Sequence, residues 1–273
     1  MQFNLVFLIM FLLLVSETTK AELMYAITLD NNSEAYIKKK DKCNGDISNG
    51  GGDFVEHNFQ LRGKCGGAGL APDIIKDQLG DRFIQFSTDP TYKGKTKTRT
   101  ELALTRQWFS FHKPMFIGFK LQIPTDSDVT NEFFYLMQFW QCAPNSPIAG
   151  IRLDRGTSHT INFMTRGDSR AASMAKYSLK PGEWHSFILK ATVDPTGKAG
   201  EFSVWDSPDK PPKIFNGAFG YAKKNCKGLK DIPQRFRLKF GIYKGNENDQ
   251  IYKVGYDDIR IGDTFEDVSP WSR

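Results

Sequence analysis

Histidine is scarce in this chain, four residues in 273, and cysteine is equally so. No two cysteines form a CxxC pair, which excludes zinc-finger and thioredoxin-type readings. The histidine and cysteine spacings match no ligand motif and give metal-centred catalysis no support. No apolar run beyond the first fifteen residues is long enough to span a bilayer, and no heptad, internal repeat or low-complexity linker divides the chain. What is abundant is aromatic and cationic: 22 Phe, 9 Tyr and 5 Trp, with a net charge of +6. That content is too apolar for disorder, and the length supports a core without help from disulfides. The charge attracts polyanions without naming one.

The apolar run from Leu5 to Val15 is eleven residues long, short for a bilayer span. It runs into polar Ser16 to Lys20 and the small-x-small site Thr19-Lys20-Ala21. This predicts a signal peptide over 1–21 and a mature, soluble single domain over 22–273, secreted and extracellular, with no membrane contact after cleavage. An oxidising route makes one or two disulfides expected among Cys43, Cys65, Cys142 and Cys226, with all three connectivities open. Asn31-Asn32-Ser33 is a glycosylation sequon.

From 41 to 70 the chain is glycine-rich and reads as loop. Pro72 and Gly80 bracket PDIIKDQL, which predicts a short helix near 72–79. Beyond it, β-branched and aromatic runs recur between turn residues: Arg82–Ser87, Met115–Ile123, Glu132–Gln141, Thr160–Thr165, Trp184–Val193, Glu201–Trp205, Arg235–Lys244 and Tyr252–Ile261. The pattern is all-β, two stacked antiparallel sheets.

Period-two alternation then sorts faces. In KTKTRTELAL, Lys95, Lys97, Arg99 and Glu101 share one face, and the threonines and leucines the other. In FFYLMQFWQ, alternation groups Phe133, Tyr135, Met137 and Phe139 against Phe134, Leu136, Gln138 and Trp140. In FRLKFGIYK, Phe236, Leu238, Phe240 and Ile242 face the core; Arg237, Lys239, Gly241 and Tyr243 face away. Gly241 marks either a close approach by another chain or a bulge. If these strands are neighbours, cations, an amide and an indole share one sheet face, which suits an acidic sugar polymer.

Arg99-Thr100-Glu101-Leu102, Gln138-Phe139-Trp140 and Lys239-Phe240-Gly241-Ile242-Tyr243 resemble, in order and spacing, motifs of the β-jelly-roll (concanavalin-like) polysaccharide lyases, in particular the heparin lyase I and glucuronan lyase group. Pro181-Gly182-Glu183-Trp184-His185, Phe202-Ser203-Val204-Trp205 and Gly255-Tyr256-Asp257-Asp258-Ile259 are similar to that group's strands, so the resemblance spans roughly Lys97 to Gly262. It implies β-elimination at a uronic acid of a glucuronan, alginate or heparin/heparan sulfate type polymer. Tyr243, Lys239, Gln138 and Arg99 would be catalytic. Gln138 and Arg99 would neutralise the carboxylate, Glu101 would orient Arg99, and Trp140, Lys97, Lys95 and Arg237 would bind substrate. A phenol titrates near about 10, so neighbouring cations would be needed to favour a phenolate base at Tyr243. Many relatives place a histidine where this chain has Trp140, so His57, His112, His159 and His185 are the substitutes to locate.

The rival reading is a non-catalytic, lectin-like module for acidic carbohydrate on the same fold. A glycoside hydrolase would need paired carboxylates, and the E-x-D-x-E strand of such sandwiches is absent. Nucleic acid is not an expected partner of a secreted protein. No cofactor is expected; a structural Ca²⁺, which some relatives carry, would fall to Asp257 and Asp258, with Asp263 nearby. A monomer is expected.

Overall fold

The computed structural model describes residues 23–27, 29, 36–39, 44–48, 61–104, 108–143, 147–168, 171–222, 226, 229–245 and 249–271. The predicted signal segment, the Asn31 sequon, Cys43 and His57 lie outside them.

Two antiparallel sheets stack as a β-sandwich of jelly-roll type. In the first, the order is β16 (Lys213–Asn216), β15 (Glu201–Trp205), β14 (His185–Thr192), β9 (Met115–Gln122), β18 (Lys253–Gly262), β6 (Arg82–Ser87) and β5 (Asp73–Lys76), with β1 (Leu23–Ile27) also on β18. In the second it is β13 (Ala172–Ser178), β12 (Thr160–Thr165), β11 (Ala149–Leu153), β10 (Phe134–Trp140), β17 (Arg235–Lys244), β7 (Thr98–Leu104), β4 (Leu61–Gly66), β3 (Asn44–Ser48) and β2 (Tyr36–Lys39), with β8 (Phe109–Ser110) also on β17. Alternating apolar residues from both inner faces make one core. Phe187, Phe202 and Tyr256 of the first sheet meet Phe163, Phe139 and Phe240 of the second. Each such ring buries enough apolar surface to contribute roughly 1.5–3 kcal/mol.

Two predicted elements are corrected. Residues 73–76 are strand, paired with β6, because Ile74 and Ile75 are half-buried sheet residues and the turn chemistry follows them. Asp77 accepts the Leu79 and Asp81 N–H groups at 2.8 and 3.0 Å, and Gly80 takes φ +92°. The helix that does form among the described residues is α1 (Phe265–Val268), held by a Thr264/Asp267 capping box. The glycine-rich region 41–70 likewise contains β3 and β4, since glycine weakens a strand without forbidding one when neighbours pair on both sides.

Cys142 and Cys226 form a disulfide across 84 residues of chain, just beyond the end of β10. A loop that long predicts substantial stabilisation, so Cys142→Ser with Cys226→Ser should lower stability by about 2–5 kcal/mol. A urea unfolding midpoint unchanged from the parent would refute this.

A cation-lined cavity on the outer face of the second sheet

Strands β7, β17 and β10 are consecutive neighbours. Tyr243 sits opposite Arg99 on one side and Tyr135 on the other; Gln138 faces Lys239, and Trp140 faces Arg237. The three motif strands therefore present their polar residues on one wall. That wall lines a cavity of about 580 Å³ whose boundary includes Lys97, Arg99, Gln138, Trp140, Arg237, Lys239 and Tyr243. Lys95 is exposed and stands outside the lining.

Beneath the cavity Glu101 is buried, 2% exposed, and three groups converge on its carboxylate. Gln138 donates Nε2–H to Oε1; Arg99 Nε lies 3.1 Å and Lys239 Nζ 3.6 Å from Oε2, the former an ion pair without hydrogen-bond alignment. Glu101 thus pairs with Arg99, and the same carboxylate also meets Gln138 and Lys239. Burial pushes the Glu101 carboxyl up from its ordinary value, against the pull of the Lys239 and Arg99 charges and the Gln138 N–H.

The faces of β10 differ from simple alternation. Phe134, Leu136, Met137 and Phe139 are all in the core, while Phe133, Tyr135, Gln138 and Trp140 line the cavity. The register shifts between Tyr135 and Met137 against both neighbouring strands. This irregularity moves Tyr135 onto the wall that carries Gln138, the opposite of the period-two assignment. The Leu136 carbonyl, at the shift, accepts the Tyr256 hydroxyl at 2.8 Å from the other sheet. Gly241 faces the same irregular stretch with φ +123°, and a Cβ there would lie 2.3 Å from the Thr100 carbonyl oxygen and 2.7 Å from the Phe86 ring. The bare side of Gly241 is thus turned to the core, where Phe86 makes the close approach, and not to the cavity.

Aromatic rings and cations alternate along the wall. The Arg99 guanidinium lies 4.7 Å from the Tyr243 ring centre, and Tyr243 stacks on Tyr135 at 6.4 Å and 21°. Lys97 sits 5.4 Å from the Phe133 ring. Trp140, which lines the cavity, carries the Arg237 guanidinium at 4.3 Å, and Arg237 also approaches Trp108 at 5.0 Å. Partial burial there pulls the Arg237 pKa down from its ordinary value.

Among the described residues no histidine lines the cavity. His112 pairs with Asp194 at 3.7 Å, His159 bonds Ser158 and the Pro124 carbonyl, and His185 accepts the Lys180 N–H at 3.0 Å. The calcium candidates are engaged by cations: Asp258 binds Arg260 at 2.6 Å and Asp257 faces Lys120 at 3.7 Å. Sequence reasoning missed Tyr135, Arg152, Arg155 and Arg166, which also line the cavity.

Residues 74–260 match the family described as polysaccharide lyase. The chain belongs to that family. It is a polysaccharide lyase, and the choice between enzyme and lectin-like module falls to the enzyme. No curated protein matches the lyase in sequence. Among solved structures it is similar to an endo-β-1,4-glucuronan lyase from the fungus Trichoderma reesei, at 14% identity over 91% of this chain and 98% of that one, with a TM-score of 0.59. An alginate lyase of polysaccharide lyase family 7 matches at 9% identity over 69% of this chain and 82% of that one, with a TM-score of 0.46. At 14% identity the likeness to the glucuronan lyase is one of fold.

Proposed function

We propose that this lyase is secreted through its N-terminal signal segment, acts outside the cell as a monomer without a required cofactor, and cleaves a uronic-acid-containing polysaccharide by β-elimination. The observation that carries the reading is the convergence of Arg99, Lys239 and Gln138 on buried Glu101, beside Tyr243, in a cavity lined by cations. In such a reaction the C5 proton leaves to a base, its electron pair forms the C4=C5 double bond, the C4–O4 bond breaks, and O4 takes a proton. The C5 proton is acidic only if the adjacent carboxylate is neutralised, so that charge developing on it is stabilised. Arg99 and Lys239 supply the positive charge, and Gln138, with one amide N–H spent on Glu101, has a second to donate. Glu101 fixes all three without facing the substrate.

Tyr243 is the group to which this reading assigns the proton transfer. It stands in one row with Arg99, and removing a proton from C5 and delivering one to O4 fall to groups within reach of the same sugar. The T. reesei enzyme is named for glucuronan, which therefore heads the substrate panel, followed by alginate, heparin and heparan sulfate. Incubation with each, followed by unsaturated-uronate absorbance in the ultraviolet, should give signal on at least one. Silence on all four would reject the uronan reading while leaving the family assignment intact.

A further inference from the structure

The cations of the cavity differ in what they already hold. Arg99 and Lys239 share Glu101, and Arg166 is hydrogen-bonded to the Tyr221 phenol. Arg152 holds no anion: among the described residues no carboxylate pairs with it, its Nε is buried without a hydrogen-bond partner, and its guanidinium rests 5.5 Å from the Tyr135 ring centre. Arg155 follows in the exposed turn after β11 and has no acidic partner among the described residues either. The adjacent carboxylate, Asp154, is taken by Lys176 at 2.6 Å. Taking part of a guanidinium out of water with no anion to answer it is unfavourable, so this flank favours an anion from outside.

Its position is separate from the reaction centre. Arg152, Tyr135, Tyr243 and Arg99 form one row across β11, β10, β17 and β7, with the two tyrosine rings between the two arginines. At the usual strand spacing, β11 stands roughly 10 Å from β17. We propose that Arg152 and Arg155 form a second anion subsite, which takes a carboxylate from a neighbouring uronate of the same polymer while Gln138, Arg99 and Lys239 take that of the sugar being cleaved. The planar guanidinium fork suits a carboxylate, and the Tyr135 face holds it in place. The substrate class narrows to chains charged on more than one sugar within the cavity. This subsite rests on the uronan reading above.

The test uses the Tyr243→Phe protein, expected to bind while turning over about 10³-fold or more slowly, and a glucuronan oligosaccharide followed by calorimetry. Adding Arg152→Gln and Arg155→Gln together should weaken binding at least about tenfold and flatten its salt dependence. Arg155→Gln alone, at an exposed position, should show part of the effect with no folding cost. On the same oligosaccharide methyl-esterified at all but one uronate, the arginine variants and their parent should bind alike. Unchanged affinity for the fully charged chain, or an equal loss on the esterified one, would overturn the subsite and leave the uronan reading standing. A parent protein that binds no uronan would remove both.

Discussion

Tyr243→Phe should reduce turnover on the preferred uronan by about 10³-fold or more, with the protein folded and its affinity for polymer kept. The magnitude follows from general acid–base catalysis, worth about 10²–10⁴-fold for one positioned group. It falls at the upper end because no described histidine lines the cavity to take over part of the proton traffic. The substitution deletes only a hydroxyl. The ring contacts that hold the side chain, Arg99 at 4.7 Å, Phe133 at 5.5 Å and Tyr135 at 6.4 Å, are contacts of the ring and persist in phenylalanine. Initial rates of ultraviolet absorbance measure the loss, and binding of uncleaved polymer checks that the cavity survives. A variant that keeps a tenth of the parent rate would remove Tyr243 from the proton-transfer role.

Much of the sandwich that holds Tyr243 was legible in sequence. β6, β12, β15 and β17 begin and end where turn residues and β-branched or aromatic runs place them, because in a sandwich those runs are the core. Alternation put Glu101 and Arg99 on one face of one strand, and the family resemblance supplied their pairing. What alternation could not supply was the phase of β10. Leu136 and Met137, two adjacent aliphatic residues ahead of a polar one, are the trace of the break, and Tyr135 was assigned to the wrong face for want of reading it.

Two other misses have plain physical causes. Pro72 and Gly80 punctuate a strand and its turn as well as they punctuate a helix, and the β-branched pair Ile74–Ile75 was the discriminating signal. Arg152 and Arg155 lie on and just after β11, whose AGIRL sequence is short and holds a glycine, so no strand was read there. Their place beside Tyr135 depends on pairing between β10 and β11, a long-range fact that composition and periodicity do not encode.

Glu101→Gln should lower activity by about 10²-fold and yet leave the protein no less stable at neutral pH. The activity loss follows from what the carboxylate holds. A glutamine carbonyl can still accept the Gln138 N–H, but its amide presents N–H where Arg99 and Lys239 now meet an oxygen, and the cations that would neutralise the substrate are displaced. Losing preorganised charge of that kind costs about 10²–10³-fold in other enzymes. The stability expectation has the opposite sign. The pKa of Glu101 is raised in the folded protein, with burial its largest cause, so the native state holds this proton more tightly than the unfolded chain does. The group's contribution to stability is then fully present below the ordinary carboxylate value and is lost as the pH rises through the raised one. Glutamine cannot ionise, so urea midpoints measured across that interval should move in the variant's favour as pH rises. An acid limb in the pH–rate profile, set above the ordinary carboxylate range, should accompany Glu101 and be missing from the residual activity of the variant. A midpoint gap that widens against the variant with rising pH would mean the ionised cluster stabilises the fold. The opposite trend, joined to the activity loss, means that the carboxylate is kept for what it positions: a buried ion cluster maintained at a cost to stability so that two cations and an amide wait in place for a uronate.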